Sequence, residues 1–286
     1  MSARPEWLKV RFSREAVGEV AGLMSRYGLN TVCREANCPN RGECCAKRTA
    51  TFLILGGNCT RNCRFCNIAC GAPEAVDPEE PENVARAARE LGLRHVVVTS
   101  VTRDDLPDGG AVHFARTIEA IRAMLPDATV EVLIPDLKGD PASLDIVLAA
   151  RPDVLNHNVE TVEALYAAVR PQARYERSLA VLRYCKDAAP DVLTKTGFMV
   201  GLGETDGQIE RLLDDVRTAG CDLLTIGQYL PPTKAHAPLH RYVSPEEFDR
   251  YRDLALAKGF RYVASAPLAR SSYRAQEALE AARRPE

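Results

Sequence analysis

"NVARAARELGLRHVVVTSV" occupies residues 83–101 and changes character at its middle. Its first ten residues read as an amphipathic helix and "HVVVTSV" as a strand rich in β-branched side chains. The same alternation runs down the chain. "AVHFARTIEAIRAML" is followed by "TVEVLIP", "PASLDIVLAA" by "DVLNHNVE" and "YERSLAVLRYCKDA" by "LTKTGFMVG". "DGQIERLLDDVRTAG" precedes "LLTIGQY", "SPEEFDRYRDLALAKG" precedes "RYVASAP", and "SSYRAQEALEAARR" closes as a helix. Six or seven uninterrupted βαβ units predict a parallel sheet, and a full or partial (β/α) barrel fits better than a small doubly wound sheet. In barrels the working residues sit at the C-terminal ends of strands. The ends here carry Thr99, Ser100, Asn156, His157, Asn158, Glu160, Gln228 and Tyr229. Upstream, "TFLIL" (residues 51–55) reads as a buried strand, and residues 6–27 as a helix leading into a cysteine-rich region.

The chain has 286 residues, 46% hydrophobic and 27% charged, enough for one large core or at most two ordinary domains. A net charge of -2 gives no global reason to expect nucleic acid or a polybasic membrane surface as a partner. No apolar run approaches the roughly 18 residues of a membrane span, and "MSARPEWLKVRF" lacks the apolar stretch of a secretory signal. A cytoplasmic location is therefore expected. In a reducing compartment crowded thiols are more often metal ligands or redox groups than disulfides. Ten cysteines in this length fall far below a disulfide scaffold's density, yet most of them lie within residues 33–70.

Cys59, Cys63 and Cys66 follow C-x3-C-x2-C. Zinc sites usually need two CxxC-like pairs, and only Cys63–Cys66 is one. Soft thiolates select iron–sulfur clusters, and three of them leave one iron of a [4Fe–4S] cube open to a chelating small molecule. Cys70 offers a fourth ligand that would close the cube as in a bacterial ferredoxin, although the spacing is one residue longer and the nearest proline is displaced to Pro73. Cys33, Cys38 and Cys44 lie in the polar, turn-rich "CREANCPNRGEC". Thiols there are exposed unless something holds them, so a second metal cluster is expected; the alternative is structural thiols acting as small hydrophobes.

The C-x3-C-x2-C motif with Phe65 before its last cysteine resembles the signature of the radical S-adenosylmethionine superfamily. Within it, "ANCPNRGEC", "ATFLILGGNCTRNCRFC", "VVVTSVTRDDLPDGGA", "PDVLNHNVETV", "TKTGFMVGLGET", "LTIGQYLPPTKAHAPLHRYVSPEEF" and "RSSYRA" together resemble the lipoyl synthase family, from about residue 30 to 275. The resemblance implies a partial (β/α)6 TIM-like barrel over residues 51–265. Residues 1–50 form an N-terminal extension and residues 266–286 a C-terminal segment, and together these carry an auxiliary cluster. It implies two [4Fe–4S] clusters and S-adenosyl-L-methionine: one cluster on Cys59, Cys63 and Cys66 whose open iron binds the sulfonium compound, and an auxiliary one on Cys33, Cys38 and Cys44 with Ser272, or failing that Ser271, as fourth ligand.

The implied reaction inserts two sulfur atoms, at C6 and C8 of an octanoyl group on a lipoyl-carrier domain of a 2-oxo acid dehydrogenase or the glycine cleavage system, with the auxiliary cluster as the sulfur source. An electron donor such as flavodoxin or ferredoxin and a cluster-repair carrier are implied partners. Phe65, Thr99, Asn156, Asn158 and Glu160 are candidate contacts for S-adenosylmethionine, and Lys195 a candidate anchor for its carboxylate. Solvated or structural roles at loop starts are the plain alternative. Three positions depart from the family pattern: Cys45 stands where a large aromatic is usual, Cys70 where a non-thiol is, and Ala266 where glycine is common. The rival readings are a biotin-synthase-like sulfur insertase acting on a free small molecule and a two-cluster electron carrier.

Overall fold

A computed structural model describes residues 4–10 and 13–284. The chain begins with a 3-10 turn at Glu6–Leu8 and helix α1 (Arg14–Arg26), where the sequence predicted one helix over residues 6–27. Ser13 breaks that span: its backbone is extended and its side chain accepts from the Ala16 N–H, an N-cap that starts the helix at Arg14. There follow β1 (Asn30–Thr31), α2 (Val32–Glu35), α3 (Arg41–Ala46), β2 (Thr51–Ile54), β3 (Asn58–Cys59) and β4 (Ala69–Cys70). Then comes the alternation: α4 (Glu80–Leu91), β5 (His95–Ser100), α5 (Ala111–Met124), β6 (Thr129–Leu133), α6 (Pro141–Ala149) and β7 (Val154–Asn156). It continues with α7 (Tyr166–Val169), α8 (Tyr175–Ala188), β8 (Leu193–Val200), α9 (Asp206–Thr218), β9 (Leu223–Gln228), α10 (Pro245–Ala257), β10 (Tyr262–Ala266) and α11 (Ala275–Ala282).

Eight strands form one sheet in the order β1-β2-β5-β6-β7-β8-β9-β10. β1 is antiparallel to β2, and every other pairing is parallel. The six strands β2 to β9 of this sheet, each followed by helix, make the partial (β/α)6 barrel. β10 adds a seventh parallel strand at one edge and β1 caps the other. β1 and β10 do not pair, so the barrel stays open along one side.

Strand side chains alternate between faces. Val96, Val98, Val130 and Val132 point outward into a core shared with Phe114, Ile118 and Ile121 of α5. Phe198, Val200, Leu224 and Ile226 do the same against Ile209, Leu212 and Leu213 of α9 and Phe248 of α10. The opposite positions face the barrel interior; Val154, Leu193 and Leu223 pack there with Leu279 and Ala282 of α11, while Thr99, Glu131, Asn156, Lys195 and Thr225 bring buried polar groups. A polar lining inside an apolar shell is costly unless every group finds a partner, so the interior is where function is to be sought.

His157, just beyond β7, ties the wall together. Its Nδ1 lies 3.0 Å from the Ile134 carbonyl and its Nε2 3.1 Å from Ser178 Oγ. Burial, reinforced by the nearby Arg170 charge, pushes its pKa down to about 4 from an ordinary 6.5. Between those values the unfolded chain binds a proton that the folded chain refuses, so stability falls as pH drops from about 6.5 towards 4. At pH 5 this removes about 2 kcal/mol. Urea unfolding at pH 7 and pH 5 should show that difference in the native chain and a smaller one in H157Q; equal pH slopes would refute the assignment.

Candidate active site

Beyond β2 the chain turns sharply through two left-handed residues, Leu55 (φ 69°) and Gly56 (φ 94°). Glycine suits position 56 because its φ of 94° is a conformation that L side chains rarely adopt; a Cβ would also press on Glu74, 2.5 Å from its Oε2, and push that carboxylate aside. The turn delivers Cys59, Cys63 and Cys66 to the C-terminal mouth of the barrel. Cys59 Sγ accepts the Arg61 and Thr102 backbone N–H groups at 3.4 and 3.3 Å. The Arg61 guanidinium grips Asp104 at 2.7 and 2.9 Å and Asp136 at 2.9 and 2.8 Å, riveting the loop to the ends of β5 and β6. On its far side the Arg64 N–H donates to the Val169 carbonyl, and His236 Nε2 lies 3.0 Å from the Cys66 carbonyl. Phe65 packs with Val169, Leu202, Tyr229 and Ala237.

Cys33, Cys38 and Cys44 are carried by α2, the turn after it and α3, short helical turns rather than the open loop that the sequence suggested. They line a cavity of about 420 Å³ together with Thr51, His95, Arg270, Ser272 and Tyr273. Thr51 and His95 begin their strands, so this cavity lies towards the N-terminal ends of β2 and β5, away from the barrel mouth. The rule that working residues gather at strand C-termini therefore covers only the other thiol set. Residues 268–274 are stitched over the N-terminal extension by four contacts. Asn40 donates to the Leu268 carbonyl at 2.7 Å, Thr51 Oγ1 to Ser272 Oγ at 2.8 Å, and Tyr273 Oη to Glu43 at 3.0 Å. Arg274 adds an ion pair to Glu43. The two serines separate here: Ser272 faces the thiols, whereas Ser271 exchanges hydrogen bonds with the Asn158 side-chain amide.

The other anticipated residues lie between the two sets. Lys195 Nζ donates to both Glu131 oxygens (2.8 and 3.1 Å) and to the Ser271 carbonyl (2.6 Å), so its amine is taken up within the protein rather than held open for a substrate carboxylate. Burial alone would raise the Glu131 pKa, but the Lys195 charge and His95 outweigh it and bring it to about 2. Asn156 turns its amide towards Glu131 and leaves its buried Oδ1 without a partner; Thr99 donates to the Leu133 carbonyl. Asn158 bonds Glu160 Oε1 at 3.1 Å. Glu160 holds a left-handed backbone (φ 66°), locked by hydrogen bonds to Gly197 and Met199, and desolvation raises its carboxyl pKa. A non-glycine residue held there by its neighbours is strain of the kind that gathers at functional sites.

Thiol chemistry fits an iron–sulfur group at both places. Burial, with neighbouring thiols adding to it, pushes Cys44 and Cys66 up to about 12 and Cys33 to about 11. Thiolates crowded in this way persist only against a strong cationic centre. Among the described residues no three His, Cys, Asp or Glu side chains close on a single ion, which needs thiolates within about 2.3 Å of one point. Cys45, Cys185 and Cys221 are buried core thiols. Cys70 is exposed, in register with Cys59 across β3 and β4. Sequence reasoning passed over Arg61, Glu131, Arg170 and Arg270. Glu131 had left a trace, a lone acid inside the apolar strand "TVEVL"; Arg170, whose buried Nε has no partner, left none.

The sequence profile of the radical SAM superfamily matches residues 53–216. Among solved structures, methylornithine synthase superposes with a TM-score of 0.52 over 93% of this chain and 85% of its own, at 14% identity. HydG, a maturase of the [FeFe]-hydrogenase, does so with a TM-score of 0.61 over 96% and 61%, also at 14% identity. The chain is a radical S-adenosylmethionine enzyme. Proteins named lipoyl synthase are 52% identical in Alkaliphilus metalliredigens (97% of this chain, 96% of the relative) and 55% in Caldanaerobacter subterraneus subsp. tengcongensis (98% and 98%). The one in Rubrobacter xylanophilus is 56% identical (98% and 88%). The chain belongs to the lipoyl synthase family, and its function is that of a sulfurtransferase working with S-adenosylmethionine and [4Fe–4S] clusters.

The interior ion pair yields a stability test. E131Q strands the buried Lys195 ammonium, a loss expected at about 3–5 kcal/mol in denaturant unfolding, most of it regained in E131L/K195M. A loss below about 1 kcal/mol would mean that the pair does not support the interior.

Proposed function

We propose that the two thiol sets divide the labour of lipoyl formation. Cys59, Cys63 and Cys66 hold the cluster at which S-adenosylmethionine is cleaved, and Cys33, Cys38, Cys44 and Ser272 hold the auxiliary cluster that gives up sulfur. In chain terms, residues 1–50 and 266–286 serve the auxiliary site and residues 51–265 the radical chemistry. The observation that carries the reading is the single cavity shared by Cys33, Cys38, Cys44 and Ser272, with Ser271 turned away from it to Asn158.

When bound, these groups supply an electron to the sulfonium and sulfur to the acyl chain; the protein's own residues do the positioning. Arg61 and its two aspartates fix the loop that presents the three thiols. Asn158 and Glu160, at the seam between the two regions, are the contacts for the ribose or amino group of S-adenosylmethionine, and Phe65, packed on Val169, Leu202 and Tyr229, is an apolar contact for it. Thr99, Asn156 and Lys195 lie deeper and serve through the interior network. Thr51 donates to Ser272 Oγ, which favours an anionic serine oxygen and so suits it as a ligand. Oxygen matches iron–sulfur sites less well than thiolate does, which makes it a displaceable ligand for a cluster that is consumed.

The substrate is an octanoylated lipoyl-carrier protein, modified at C6 and C8. A flavodoxin or ferredoxin feeds electrons, and a repair carrier rebuilds the auxiliary cluster. Among the described residues no helix is long and apolar enough to cross a membrane, in keeping with work in the cytoplasm.

Anaerobically loaded C33A/C38A/C44A should drop from about eight irons per chain to about four. It should still release 5'-deoxyadenosine but form no lipoyl group on an octanoylated carrier peptide. S272A should mimic the loss of lipoyl product, whereas S271A should keep its full iron. Lipoyl formation by the triple variant would overturn the assignment.

A further inference from the structure

Arg270 has no task in the division of labour proposed above. It lines the cavity with Cys33, Cys38, Cys44 and Ser272. Its charge is also felt by Glu160, whose own charge reaches Cys63 and Cys66. Among the described residues its only hydrogen bond is Nη1 to the neighbouring Ala269 carbonyl, at 2.6 Å. The remaining guanidinium donors have no acceptor among the described residues.

The side chain is held in place all the same. The segment around it is tied by Lys195 to the Ser271 carbonyl, by Asn158 to the Ser271 hydroxyl and by Asn40 to the Leu268 carbonyl. β9 is bare where the segment crosses: a Cβ on Gly227 would stand 2.3 Å from the Ala269 carbonyl oxygen and 3.1 Å from Arg270 Nη1. Glycine there permits the close approach that sets the guanidinium at the cavity wall. Guanidinium donors left without a protein acceptor at the wall of a thiol-lined cavity are placed to meet an anion there. A thiolate-ligated iron–sulfur group is such an anion.

We infer that Arg270 is a positioning residue for the sulfur-donating group, its charge and free N–H donors favouring the electron-rich state of that group. The inference rests on the ligand assignment proposed above. The chemistry gives it a purpose. On a group held by Cys33, Cys38, Cys44 and Ser272, a bond formed between a carbon radical and a sulfide lone pair would leave the second electron of that pair on iron, and a cation alongside would stabilise it; hydrogen bonds and local charge are the levers a protein has on such potentials.

The test uses the full chain carrying C59A, C63A and C66A, loaded anaerobically, so that the auxiliary group alone titrates. If that parent holds no iron, the ligand assignment fails, and Arg270 is not the cause. In the parent, R270Q and R270K, the midpoint potential is read by titration followed by electron paramagnetic resonance. R270Q should load and titrate at a lower potential than the parent, and R270K should stay close to the parent. A parental midpoint in R270Q overturns the inference, as does an R270K displaced as far as R270Q. If R270Q loses its iron, an R270K that loads at the parental potential supports the role of charge, and an R270K that also comes out empty reduces Arg270 to a structural part.

Discussion

Inside the barrel an ammonium group is shared between a carboxylate and a backbone carbonyl. Lys195 Nζ reaches Glu131 on a strand two places away and Ser271 on the segment that follows β10. Burying a charge pair costs desolvation that attraction repays only when the geometry is good and the remaining donors are satisfied. Here the third donor of Lys195 is satisfied by the very segment that carries Arg270, Ser271 and Ser272. The stability of the interior and the placement of the C-terminal segment are therefore coupled through Lys195.

That coupling explains how an open barrel hosts two thiol sites. β1 and β10 leave a gap, and residues 268–274 run near it with partners on both sides: Asn158 and Lys195 inward, Asn40, Glu43 and Thr51 outward. One site sits at the strand C-termini, as parallel barrels dictate. The other lies by the starts of β2 and β5, where the terminal segments meet. Glu160, strained at positive φ, and Arg270 stand between them.

How far the sequence disclosed this follows from the range of each interaction. Helix and strand periods are local, so the alternation from residue 83 onward, and the parallel sheet with it, could be read directly. So could the thiol sets, whose spacings fall within a dozen residues. The start of α1 at Arg14 was misread because apolar spacing continues upstream of the Ser13 cap. Which serine turns to the thiols is a matter of tertiary contact with Thr51 and Asn158, and neighbouring identical residues carry no mark of it. The bond between Lys195 and Glu131 left no mark because the two are remote in sequence, and a cation at a barrel strand looks the same whether its anion comes from the protein or from a ligand. Arg170 and Arg270 stayed hidden for the same reason.

The cavity lined from residues 33–51, 91–97 and 270–280 also bears on how the protein is made. A ribosome releases Cys33, Cys38 and Cys44 long before Ser272 and the strap that covers them. The cysteines that arrive early must wait in reduced form through the synthesis of the whole barrel. On the proposed ligand assignment, the full ligand set of the second metal group exists only in the finished chain.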